Sequence, residues 1–138
     1  MREILFRGKK YNGEWAHGYY VQANNSWHGY GKHKERIVCS ACANGGWFAL
    51  QEKHAVIPET VGQYTGLKDK NGKKIFEGDI VKSIETKETG VVQFFPEHSA
   101  FMIWCKFSNE VGFLYECTSI AEVIGNIHDN PELIRNEV

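Results

Sequence analysis

No apolar run in the 138 residues approaches the ~18 that a membrane-crossing helix requires, so no membrane partner is expected. Charge of one sign is missing too. The 16 Lys and Arg stand against 17 Asp and Glu, a formal net charge of −1, which leaves no global field to draw the chain to nucleic acid or anionic lipid. Any such attraction must be local. Prolines number only three, sustained helical spacing of apolar residues is lacking, and there is neither an internal repeat nor a low-complexity tract. The opening Met1-Arg2-Glu3 lacks a signal-peptide pattern, so the four cysteines read as free thiols of a reducing compartment and the chain is expected to be cytoplasmic. Its length leaves room for one domain, or two small lobes sharing a core.

Catalytic patterns are absent as well. There is no G-x-S-x-G, no H-E-x-x-H and no phosphate-binding glycine loop opening a helix. Glu77 and Asp79 read as like charges facing solvent, and His128-Asp129 as a turn leading into a helix cap. No catalytic residue is assigned, and the chain is not expected to be an enzyme.

What is present is aromatic and glycine-rich: 13% Phe, Trp and Tyr, and 14 Gly, with apolar residues that alternate. That profile favours short strands joined by tight turns. Trp15, His17, Tyr19 and Val21 form one alternating row after Asn12-Gly13, so residues 3 to 21 read as a hairpin with a type I′ turn. Gln22 to Glu35 shows no period and reads as a mobile loop. Arg36–Cys39 and Trp47–Leu50 are expected to pair, and His54–Ile57 to form a third short strand ended by Pro58. Beyond it, Gly66, Gly72 and Gly78 let the chain reverse repeatedly. Further strands are predicted at Ile80–Ile84, Val91–Phe95, Ala100–Phe107, Gly112–Glu116 and Ile120–Ile127. Asn130 as cap and Pro131 at the first helical position predict one short helix, Pro131–Asn136. The expected fold is mainly β, with an N-terminal β-hairpin lobe (1–57) and a small SH3-like, partly open β-barrel lobe (58–138), closed by that helix. Charge runs from +4 over residues 1–57 through +1 over 58–82 to −6 over 83–138. This polarity could help the lobes dock within one chain or steer head-to-tail contact between copies.

Three groups of residues could carry binding chemistry. Lys68, Lys70, Lys73 and Lys74 surround Asn71-Gly72, with Tyr64 and Phe76 on the flanking strands, as in a single-stranded nucleic-acid groove where phosphates take the charge and bases stack on rings. A lysine-rich tip is also an ordinary solvated turn that blunts edge pairing, and Asp69, Glu77 and Asp79 dilute the patch. Cys39 and Cys42 have the C-x-x-C spacing at which two thiolates grip one metal, with His28 and His33 upstream, so a zinc site is conceivable and a plain hairpin is the alternative. Cys105 and Cys117 fall within strands and read as buried hydrophobes. In Phe101-Met102-Ile103-Trp104-Cys105 both strand faces are apolar, so both must be covered. The chain itself could cover Met102 and Trp104, or a second subunit could, which would make them interface anchors.

The stretch Gly62–Lys82 (GQYTGLKDKNGKKIFEGDIVK) and the closing Val123–Ile134 (VIGNIHDNPELI) resemble the YopX family of phage and prophage proteins. The opening ILFRGKKYNGEW (Ile4–Trp15) and the middle VIPETVGQYTG (Val56–Gly66) are similar to it as well. The blocks follow in the family's order, while Gln22–Leu50 contributes little. The resemblance implies a small, mostly β fold encoded in a mobile element, and the family has no established biochemical activity to carry over. The expected role is therefore non-catalytic: an accessory protein that binds a macromolecule or associates with itself, with single-stranded nucleic-acid binding or a zinc-supported module as alternatives.

Overall fold

The computed structural model describes residues 3–22, 34–38, 52–105 and 110–135. The chain divides into two units, Met1–Gln63 and Tyr64–Val138.

In the first unit, β1 (Phe6–Lys9), β2 (Trp15–Gln22) and β3 (Glu35–Val38) form an antiparallel ladder with β2 in the middle. The expected hairpin is there, its register running from Phe6↔Gly18 to Lys9↔Trp15. Its turn is not type I′, which needs positive φ at both central residues. Only Gly13 takes one, at 93°. Its N–H donates to the Lys10 carbonyl (3.0 Å), the Lys10 N–H to the Glu14 carbonyl (2.8 Å), and Asn12 Oδ1 accepts from the Glu14 N–H (3.0 Å). This is a three-residue loop ending on a left-handed glycine.

β3 pairs with the far half of β2, from Tyr19↔Val38 to Gln22↔Glu35, a pairing not expected from the sequence. The physical reason is length: β2 outruns β1 by four β-prone residues that need a partner of their own. Gln22 and Glu35, expected at the ends of a loop, close this ladder, and the interior of that loop and Trp47–Leu50 lie outside the described residues. The strand expected at His54–Ile57 reduces to a 3₁₀ turn, Glu52–His54, and two isolated bridges, Arg36↔Ala55 and Lys10↔Val56. Pro58 then opens a second 3₁₀ turn, Pro58–Thr60, a position where its missing N–H costs nothing.

β4 (Gly62–Lys68) begins by pairing Gly62 and Gln63 with β1. From Tyr64 onward it pairs with β5 (Lys74–Phe76). The rest of the second unit is an antiparallel sheet of β6 (Asp79–Ser83), β7 (Thr89–Phe95), β8 (Ala100–Cys105), β9 (Glu110–Phe113) and β10 (Ala121–Asn126), in the order β10-β6-β7-β8-β9. The architecture is mainly β, and its sheets are not closed into a full barrel. Alternation puts Val81, Val92 and Ile103 on one sheet face, where they bury with Ile75, Leu114 and Ala121 as the core of this unit. The expected strand Gly112–Glu116 is shifted: β9 stops at Phe113, and Leu114–Glu116 turn as a 3₁₀ helix. Cys117 consequently sits in a turn, half-buried against the core, and not in a strand. The helix α1 is short, Glu132–Arg135.

Candidate functional site

The lysine-bearing hairpin between β4 and β5 repeats the Asn12-Gly13 loop. Gly72 has φ 82°, its N–H donates to the Asp69 carbonyl (3.0 Å), and the Asp69 N–H donates to the Lys73 carbonyl (2.8 Å). A residue with a side chain resists that backbone conformation, whereas glycine does not. Lys68, Lys70 and Lys73 are exposed around this tip. Lys74 is half-buried, with its Nζ 5.4 Å from the centre of the Tyr64 ring.

Tyr64 itself is only 6% exposed and packs on Phe76 with ring centres 5.5 Å apart. Neither ring offers a free face on which a base could stack. The structure thus brings the lysines together as a cationic tip and withdraws the two aromatics that a single-strand groove would need.

Asp69, which composition reads as diluting the patch, holds the tip in place. Its Oδ1 accepts from the N–H groups of Asn71 and Lys73 (2.9 Å each), and its Oδ2 accepts from the Val123 N–H of β10 (3.0 Å). Beside that bond, the Lys70 N–H donates to the Ala121 carbonyl (3.0 Å). Burial by itself would raise the Asp69 pKa, but the three backbone donors and the Lys73 charge more than offset it, leaving the carboxyl below its ordinary value. The signal was in the sequence: an Asp two residues before Asn-Gly is where a side chain can accept backbone N–H groups of the turn it starts.

Asp79 plays a similar part in the next turn. It is 2% exposed, which overturns the solvent-facing expectation, because the turn after β5 is so tight that its Oδ2 reaches the Phe76 N–H at 2.8 Å. At the end of β10, Asn126 Oδ1 accepts from the N–H groups of both His128 and Asp129 (2.9 Å each). Asn130, expected to cap the helix with its side chain, instead turns Oδ1 back to the Asn126 N–H (3.2 Å). A Cβ on Gly125 would stand 2.5 Å from that same oxygen, so the closing turn has room only for glycine there.

Of the remaining candidates, Met102 is 4% exposed, its surface taken up within the chain, and Trp104 is half-buried. Cys39, Cys42, His28 and His33 lie outside the described residues. Among the described residues, no group of three or more His, Cys, Asp or Glu side chains is placed to hold a metal ion. The first unit holds cations that sequence reasoning missed. Arg36 is buried, Arg7 lies 4.9 Å over the Trp15 ring, and burial, followed by the charges of Lys53, Lys10 and Arg36, pushes the His54 pKa down.

The chain is similar to protein EF1440 from Enterococcus faecalis, whose crystal structure it matches at 21% identity and a TM-score of 0.55, over 98% of this chain and 100% of that one. At that identity the likeness speaks for the fold. No curated protein matches the chain. The turns closed by Asp69, Asp79, Asn126 and Asn130 fall in its two family-like blocks, and the family model described as YopX protein matches residues 5–135. The chain belongs to the YopX family.

Proposed function

We propose that this chain is a non-catalytic accessory protein of a phage or prophage, acting in the host cytoplasm by binding a macromolecule. The observation that carries this reading is the use made of its polar acceptors. Asp69, Asp79, Asn126 and Asn130 each accept N–H groups of their own backbone, so the side chains of the family-like blocks are committed to shaping turns. One of those turns projects three exposed lysines.

The exposure of Lys68, Lys70 and Lys73 on a tip braced from below favours a polyanion as the partner, recognised through its phosphates. With Tyr64 and Phe76 buried, stacking takes no part. Three phosphate contacts give a slope of log affinity against log salt of about −2 on a single-stranded oligonucleotide. Fluorescence anisotropy between 50 and 200 mM salt, an interval of about 0.6 log units, should therefore register roughly a 20-fold loss. K70Q/K73Q should flatten that slope, since both side chains are exposed, the Lys73 bond to Asp69 is made by its backbone N–H, and glutamine sets no like charge beside the Asp69 carboxylate. Salt-independent affinity, or a double variant that binds as tightly as the natural chain, would overturn nucleic-acid binding at the tip.

The alternative of a zinc-supported module through Cys39, Cys42, His28 and His33 is tested by elemental analysis of protein purified without chelator. Less than one zinc in several chains is expected. About one per chain, lost together with folding in a C39S/C42S variant, would establish the metal as structural.

A further inference from the structure

The second unit contains a cleft of about 260 Å³ where the core meets the open side of the sheet, between β9 and the turn that leads into β10. Its floor is core side chain: Val81, Ile103 and Ala121. Val111 and Ile120 form apolar walls, and Cys117 lines the cleft beside them, its thiol 3.6 Å from the Phe113 carbonyl. The rim formed by the turn between β6 and β7 is polar, with Ser83, Thr86 and Glu88.

Gly112 gives the cleft a reason for being. It sits inside β9 opposite Ile103, on the face that elsewhere holds the core. Its backbone is outside the left-handed region, so no turn requires glycine there. A Cβ added to it would meet nothing within 4 Å. Glycine inside a strand weakens it and leaves nothing to pack, and commonly marks a place where another group approaches closely. Here it leaves the wall of the cleft open at the point where a larger residue would fill it.

Size and charge define what would enter. An apolar cavity of about 150 Å³ accommodates benzene, so this one has room for a bicyclic ring. Among the described residues of its lining, the one that is charged is Glu88. Burial and then the neighbouring Glu116 carboxylate raise the pKa of the Cys117 thiol in that lining, so a second negative charge lies near the cleft. Lys87, in the same turn as Glu88, does not line it. We infer that this cleft binds a small organic amine, its apolar ring of about indole size seated on Val81 and Ile103 and its ammonium at the Glu88 rim. The site shares no lining residue with the lysine tip, whose Lys70 N–H meets it at the Ala121 carbonyl, and it stands whether or not that tip binds a polyanion.

The test is a titration of the full chain followed by backbone amide NMR, with tryptamine, indole and indole-3-acetate as probes. Tryptamine should shift the amides of Gly112, Cys117 and Ala121 saturably and bind more tightly than indole, with indole-3-acetate weakest. G112V should place methyl groups in the cleft and weaken tryptamine about tenfold or more while leaving the rest of the spectrum folded. If that variant fails to fold, G112A serves, with a smaller loss of the same sign. E88Q should narrow the preference of tryptamine over indole-3-acetate about threefold, the size expected of one solvent-exposed charge. No saturable shift with tryptamine or indole at millimolar concentration would overturn the site. So would shifts unchanged in the Gly112 variants. Equal affinity for the amine and the acid would overturn the assignment of the ligand's charge.

Discussion

Replacing Asp69 with alanine should destabilise the chain by about 3 kcal/mol, because three backbone N–H groups lose a charged acceptor at once, and each orphaned donor costs ~1–3 kcal/mol. The loss should appear as a lower denaturant midpoint with little change in slope. D69N is the sharper variant. Its amide oxygen can still accept from Asn71 and Lys73, but its NH₂ would face the Val123 N–H, donor against donor, so about half the loss is expected. The variant also removes a titration. The Asp69 carboxyl is held below its ordinary value of 3.8, so the folded state binds its proton less readily than the unfolded state does. Its contribution is therefore complete above that ordinary value and is lost as pH falls through the lower, folded one. The gap in stability between natural chain and D69N should be wide at neutral pH and should narrow as pH falls below that ordinary value. A gap independent of pH would mean that the carboxylate is not the acceptor at this turn.

The second large effect is expected at Asn126. N126A leaves the His128 and Asp129 N–H groups without their acceptor, and the residue is buried, so water cannot fully replace it. A cost of about 2–3 kcal/mol follows. Asn130 returns a hydrogen bond to the Asn126 backbone, so the two residues brace one turn, and a double-mutant cycle should give a coupling of about 1 kcal/mol. Strictly additive losses would show that the two side chains act independently.

Much of this architecture was legible in the sequence where local chemistry sets it. Asn12-Gly13 and Asn71-Gly72 marked the positions of two hairpins, and the runs Val91–Phe95 and Ala100–Phe107, rich in apolar and aromatic residues, marked two strands that do pair, because turn residues and strand composition are local properties. What was not legible depended on partners distant in the chain. Glu35–Val38 chose β2 because β2 had an unpaired half, a fact about strand lengths rather than about residues 35–38. Asp69 and Asp79 looked like surface charge because their burial is set by folded neighbours. In both cases the cue lay in the placement of the acid beside a turn, which composition ignores. The cleft was invisible for a related reason: Gly112 looks like any other glycine until the emptiness beside it is measured.

The bond from Val123 to the Asp69 carboxylate joins residues 54 positions apart, and this has a consequence for the order of events during synthesis. The lysine-bearing tip leaves the ribosome well before β10, so the tip's own two bonds can form early while the third must wait until β10 has emerged. A chain cut short before residue 121 would carry its cationic turn without the strand that steadies it, which makes β10, and not the hairpin itself, decide when that surface is set.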